Sequence, residues 1–329
     1  EKKIEVLWNE YVPKSVLPRL YVYEILMAPY AIAHLKIGLK LYETGYHFKS
    51  QERVRVYLTN SLEPASDMGQ LTLTRFFEAI AHEAEAVDKI KRKQRFTVII
   101  GNPPYAGHSA NKGEWVTKLT DAYYEIDGKR LDEANTKWLR DDYVKFFRLS
   151  QTILCDSGVG ILGLITNHGY LDNPTFRAMR FSLLKDFSTQ FYLHLNGSAK
   201  KADKSQSKIL DQNVFDIQQG VAIALLSRGP QNAETCVKFF DFIGTREIKY
   251  SVLRASSVLS TKWSRIFPSE PFYLFFPENK ELRSEYQQYT KLTDAMPEYS
   301  LGCLTKRDNL VIDFTEQEVQ NKILKFIDE

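Results

Sequence analysis

The run Thr97-Val-Ile-Ile-Gly-Asn-Pro-Pro-Tyr105 restricts what this 329-residue chain can fold into more than any other stretch. Thr97 to Ile100 are all β-branched and read as a buried strand. Gly101 and Asn102 follow, then two prolines. Proline fixes φ and lacks a backbone N–H, so Pro103 and Pro104 cannot prolong a sheet ladder. The chain must leave the strand as a stiff hook that ends on the ring of Tyr105. In open α/β sheets, ligands bind in the crevice at the carboxyl ends of the strands.

The hook has a specific chemical use. An amino group conjugated to a ring or carbonyl is a poor nucleophile, because its lone pair is delocalised. Two acceptors on its two N–H bonds favour the pyramidal form and free that lone pair. The side-chain oxygen of Asn102 and the carbonyl of Pro103 are neighbouring acceptors of this kind. Tyr105 adds a flat face on which a base can stack. The competing reading is a plain Pro-Pro turn with a surface tyrosine, and the strand and glycine before the turn weigh against it.

Asn102-Pro103-Pro104-Tyr105 resembles the catalytic motif of the S-adenosylmethionine-dependent amino-methyltransferases that act on adenine N6 in DNA. The segments Tyr23–His34, Gly158–Lys185 and Thr305–Leu310 resemble the methyltransferase region of the single-polypeptide Type ISP restriction–modification enzymes and their Type IIG relatives. The resemblance implies an α/β fold, a Rossmann-like methyltransferase sheet with helices on both faces, over residues 1–243. An irregular α+β extension, 244–329, would lead toward coupling and target-recognition regions. It also implies roles for particular residues. Asn102, Pro103, Pro104 and Tyr105 form the catalytic hook, and Phe215 stacks on the flipped base opposite Tyr105. Glu24 accepts the cofactor's ribose hydroxyls, Ile25 lies on its adenine, Asn60 hydrogen-bonds that adenine, and Phe146 walls the pocket that Asn102 borders. Each has a plainer alternative: Glu24 as a helix cap, Asn60 as a turn former, Phe215 as a core side chain.

One family element is missing. The family's first motif is a loop of the Asp-Pro-x-x-Gly-x-Gly kind after the first strand, and no such loop occurs in the sequence. The chain opens on Glu1 without Met and stops at Glu329 in a helical pattern, so a fragment of a longer protein is expected, with the first strand upstream.

The rest of the chain is consistent with alternating β and α elements. Strands are expected near 20–24, 53–60, 158–166, 190–195 and 221–226, with 236–242 as an edge strand. Helices are expected at 29–42, 73–95, 141–155, 174–185 and 246–254, and a hairpin at 301–314. Residues 106–140 read as a long polar loop, where Trp115, Tyr123, Tyr124 and Trp138 are candidates to line the base site. Residues 198–208 read as a basic loop. His168 reads as a loop hydrogen bonder.

A net charge of +3 permits a nucleic-acid partner without arguing for one. The three cysteines lie far apart and make neither a disulfide framework nor a metal pattern. No apolar run is long enough to span a bilayer. The resulting expectation is a site-specific, adenine-specific DNA methyltransferase of a bacterial cytoplasm. It would use S-adenosylmethionine and no metal, act on double-stranded DNA by base flipping, and belong with further nuclease, ATPase or target-recognition domains or a specificity partner. The alternatives are a catalytically silent DNA-binding module and a methyltransferase for RNA or protein glutamine.

Overall fold

The computed structural model describes residues 2–49, 52–65, 85–104, 109–131, 136–198, 211–229, 234–298 and 308–328. Tyr105, most of the expected 73–95 helix, nearly all of the basic loop and residues 299–307 lie outside them. The chain divides into two compact units, Glu1–Pro277 and Glu278–Glu329.

The first unit begins with helix α1, Lys2–Tyr11, and a small parallel pair, β1 (Tyr21–Glu24) and β2 (Arg55–Leu58). Between the strands runs helix α2, Met27–Glu43, with Pro29 in its first turn, where a missing N–H costs nothing. Tyr30, Ala33, Ile37 and Leu41 recur every three or four residues, and they pack with Val54 and Val56 of the β2 segment.

The main sheet has six strands. They are β3 (Val98–Gly101), β4 (Gly160–Asn167), β5 (Thr189–Asn196), β6 (Val221–Arg228), β7 (Cys236–Asp241) and β8 (Ser264–Ile266). Their order across the sheet is β8-β7-β5-β6-β4-β3. β3 and β4 are parallel, as are β5 and β7, while β6 runs antiparallel to both of its neighbours. The carboxyl ends of β3, β4, β5 and β7 therefore share one rim with the start of β6.

Alternation decides which residues enter the core. Leu162 and Leu164 of β4, Tyr192 of β5, Ala222, Ala224 and Leu226 of β6, and Val237 and Phe239 of β7 are all buried in one cluster. Helix α3 (Asp142–Ser157) covers them with Tyr143, Val144, Phe147 and Leu154. Helix α4 (Arg177–Asp186) adds Met179 and Leu183. A smaller cluster, Leu195, Val214 and Val221, gathers Phe215 and Leu253, the latter from helix α5 (Arg246–Ala255).

The structure corrects four expectations. The hook strand is not buried: it forms the sheet's edge, with Val98 61% and Ile100 82% exposed and only Ile99 packed on the core. β-branching marks strand but not depth, and β4 covers only one side of β3. Cys236–Asp241 is not the edge, because Ser264–Ile266 pairs outside it. Residues 106–140 contain short elements, among them the helix Glu114–Thr120 and the two-residue pair Glu125–Ile126 with Lys129–Arg130. In the second unit, Asp308–Val311 forms a helical turn where the hairpin's second arm was expected.

Residues 267–277 are irregular yet integral to the first unit. Phe275 is fully buried, stacks on Tyr192 at 4.3 Å and donates its N–H to the Leu171 carbonyl. The Arg180 guanidinium, also fully buried, donates twice to the Phe272 carbonyl and once each to the carbonyls of Tyr170 and Asn173. The second unit, taken alone, is helical, with Lys280–Gln288 and Glu316–Asp328 its longer segments.

Candidate active site

The hook leaves β3 at the shared rim. Gly101 pairs with Leu164, so continuing the register sets Asn102 level with Ile165. Asn102 and Pro104 are exposed and Pro103 is buried. Among the described residues no hydrogen bond engages the Asn102 side chain. Asn102 thus stands exposed on a turn in which proline fixes φ at the next two residues.

The end of β1 is similarly open. The Glu24 carbonyl accepts the Thr59 N–H at 2.7 Å, which ties the ends of β1 and β2 together. Among the described residues its carboxylate takes no hydrogen bond. Ile25 beside it is 60% exposed, and Leu26 and Met27 are exposed as well. The neighbouring Tyr23 hydroxyl is buried and is pushed up to about 12 by that burial and by Tyr57 and Tyr21, so it stays protonated at neutral pH.

Asn60 is more heavily engaged. Its Nδ2 donates to Glu63 at 3.0 Å and to the Asn111 side-chain oxygen at 2.8 Å, while its Oδ1 accepts the Leu62 N–H at 3.0 Å. Both donors are committed, and one acceptor lone pair remains. Asn111 passes the connection on to Asp142 at 3.1 Å, and Asp142 accepts the Ser109 hydroxyl. Lys145, almost wholly buried, donates to the Asn111 carbonyl and to Ser109. A continuous polar network thus joins the loop after β2, the segment after the hook and the first turns of α3. Phe146 follows Lys145 in α3 and is half-buried. Of the loop aromatics, Tyr123 is fully buried and donates to Gln151, whereas Trp115 and Trp138 are partly exposed.

Phe215 is half-buried against Leu195, Val214 and Val221. Its loop, 211–220, is pinned from α5 by three side chains spaced as one helix face. Arg246 donates to the carbonyls of Asn213 and Phe215 and pairs with Asp216 at 2.7 Å. Lys249 is fully buried and donates to Leu195 O, Asp211 Oδ1 and Gln212 O, each at 2.6 Å. Tyr250 donates to the Val214 carbonyl. The sequence reading missed all three, although the 246/249/250 spacing on an expected helix was the available signal.

It also missed a chain of imidazoles along the rim. His168 Nδ1 lies 2.7 Å from His194 Nε2, and His194 Nδ1 lies 2.8 Å from Asp241 Oδ1. Burial pushes the Asp241 carboxyl up, but hydrogen bonds from His194 and Asn196 and the charges of His194 and Lys249 outweigh it and hold the group below its usual range. Among the described residues no group of three or more His, Cys, Asp or Glu is placed to hold a metal ion, and no helix is long and apolar enough to cross a membrane.

Known proteins share the fold of this chain. A search of the curated proteins finds no match. Among solved structures, the ATP-dependent Type ISP restriction-modification enzyme LlaBIII bound to DNA superposes with a TM-score of 0.74 at 22% identity, over 99% of this chain and 22% of that one. The DrdV–DNA complex gives 0.71 at 23%, over 98% of this chain and 33% of that one. A nuclease-deletion mutant of the Type ISP enzyme LlaGI with a DNA substrate mimic gives 0.71 at 21%, over 97% and 27%. At these identities the likeness is one of fold, the Rossmann-like fold of restriction–modification methyltransferases, and this chain spans only a fifth to a third of those proteins. The family model of the Eco57I restriction-modification methylases matches residues 19–200, more than half of the sequence, and the chain belongs to that family.

Proposed function

We propose that this chain transfers a methyl group from S-adenosylmethionine to the N6 amino group of adenine in DNA, as the methyltransferase domain of a larger restriction–modification protein. The observation that carries this reading is the exposed Asn102, whose side chain takes no hydrogen bond among the described residues, on its proline-locked turn at the carboxyl end of β3. A flipped adenine would present its amino group to Asn102 Oδ1 and the Pro103 carbonyl, with Tyr105 and Phe215 on its two faces. Leaving the duplex costs a few kcal/mol, and stacking returns about 1–3 kcal/mol per face.

The residues present fit the cofactor. The open carboxylate of Glu24 can accept both hydroxyls of a ribose, and exposed Ile25 offers an apolar face to an adenine. The remaining lone pair of Asn60 can accept an adenine amino proton. Phe146 would close the far wall. When bound, S-adenosylmethionine supplies a methyl group activated by a positive sulfonium. The hook's part is to free and aim the amine lone pair: an N–C bond forms as the S–C bond breaks, and the amine proton leaves to water. Orientation and polarisation make up the protein's contribution.

Strands β1 and β3 each keep one edge with no partner among the described residues. A parallel strand ending in a Gly-rich loop would satisfy both edges and bring backbone N–H groups to the cofactor's methionine end. Domain limits of 1–243 and 244–329, a bacterial cytoplasmic setting, and nuclease, ATPase or recognition domains on the parent chain belong to the same reading.

The test is methyl incorporation into double-stranded DNA from labelled S-adenosylmethionine, with the product digested to nucleosides. N6-methyladenine is expected, and Asn102→Ala should lower the rate about 10²–10³-fold. Equal rates for the two proteins would overturn the hook. Label in RNA or in a glutamine side chain would redirect the substrate. The alternative of a silent DNA-binding module takes its support from the missing Gly-rich loop, and DNA binding without calorimetric uptake of S-adenosylmethionine by a chain extended upstream of Glu1 would favour it.

A further inference from the structure

The chain His168–His194–Asp241 crosses the rim of the sheet without touching the hook. In strand order the participants are His168 just past β4, Gly220 just before β6, His194 near the end of β5 and Asp241 at the end of β7. The two imidazoles lie nearly parallel, 18° apart with centroids 4.9 Å apart, and their facing nitrogens are 2.7 Å apart. That gap suits a hydrogen bond and leaves no room for an ion between them. His168 reaches His194 across the start of β6, and Gly220 makes this possible. A Cβ there would come within 2.7 Å of His168 Cε1 and Nε2. The backbone adds a second tie, His168 N–H to the Gly220 carbonyl at 3.0 Å.

Asp241 orders the protons. An ionised carboxylate only accepts, so His194 carries its proton on Nδ1. With both rings neutral, His194 Nε2 is then an acceptor, and His168 must donate from Nδ1. His194 is 4% exposed, with Phe239 and Phe276 packed around its ring, so its direction is set by packing as well as by Asp241. The His168 ring, held by His194, therefore lies against Gly220 and brings two segments together. One is the 3₁₀ turn His168–Tyr170 and the loop to Asn173; the other is the 211–220 loop that carries Phe215. Continuing the β3–β4 register sets His168 about 10 Å beyond the level of Asn102 along the strand direction, within one nucleotide of the hook.

We propose that His168 and His194 are positioning residues, a latch that locks the 168–173 and 211–220 loops together so that the face offered by Phe215 stands ready for the target base. This rests on the methyl-transfer reading above for the identity of the base, while the latch itself rests on geometry alone. Phe215 sits on a loop held from α5 by Arg246, Lys249 and Tyr250, and the latch adds a side-chain brace from the β4 side.

The experiment uses the whole chain and two readouts. In His168→Ala, amide hydrogen exchange in 211–220, which contains no altered residue, should speed up about tenfold, with helix 142–157 unchanged as the internal standard. KM for DNA should rise about tenfold, with KM for S-adenosylmethionine unchanged. In His168→Asn the amide Nδ2 occupies the place of the lost Nδ1 donor, and both effects should reverse by at least half. Unaltered exchange in 211–220, an equal rise in helix 142–157, or no rescue by asparagine would each overturn the latch. Absence of methyl transfer by the unmutated protein would overturn the assigned reaction instead, and the exchange data would still decide whether the two loops are tied.

Discussion

The edge and the centre of the six-stranded sheet are built by different rules. At the hook's end, β3 is four residues long, paired on one side, and exposes Val98 and Ile100. Two strands away, β6 is eight residues long and paired along its length on both sides, and its neighbour β5 carries Tyr192 and His194 in dense ring contacts. The strand that holds the chemically suggestive turn thus contributes little packing, whereas the strands that hold the sheet together reach the site only through loops. Fold stability and site geometry are therefore separable, and substitutions should sort by whether they touch the edge or the centre.

The largest effect on stability is expected from Leu162→Ala in β4, where a fully buried side chain faces α3. A loss of about 2–5 kcal/mol in denaturant unfolding is expected, and a smaller loss would mean the central strands are no better packed than the edge. Gly220→Ala comes next, at about 1–3 kcal/mol, because the new methyl group meets the His168 ring and must displace it. Its mark should be local: hydrogen exchange should rise in 168–173 and 211–220 while helix 177–186 keeps its protection. The smallest effect belongs to Ile100→Thr on the exposed edge, within about 0.5 kcal/mol in thermal unfolding. A loss comparable to that of Leu162→Ala would break the comparison, since it would show β3 packed against something beyond the described residues.

What the sequence made legible follows the same division. The hook could be read because proline and asparagine act through their own covalent geometry, whatever surrounds them. Strands and helices could be read because side-chain periodicity is local. Depth could not: β-branching marks Thr97–Ile100 as a strand, and only the strand order tells that β3 has a single neighbour among the described strands. The polar chains were harder still. His168, His194 and Asp241 are 26 and 47 residues apart, and they meet because β6 is inserted between β4 and β5 in the sheet. A lone histidine at a strand end carries no trace of its partner. Lys249 was hidden for another reason, since a lysine on an amphipathic helix ordinarily reads as solvated, and here it is wholly buried among three oxygen acceptors.

The buried fork of Arg180 carries a lesson about order without regularity. Both hydrogen bonds to the Phe272 carbonyl, two of the four, would have to be replaced, or the charge left short of acceptors in apolar surroundings, before 267–277 could lift from the sheet. A stretch with neither a helix nor a strand beyond Ile266 is in this way fastened to the elements it covers, right up to the limit of the first compact unit.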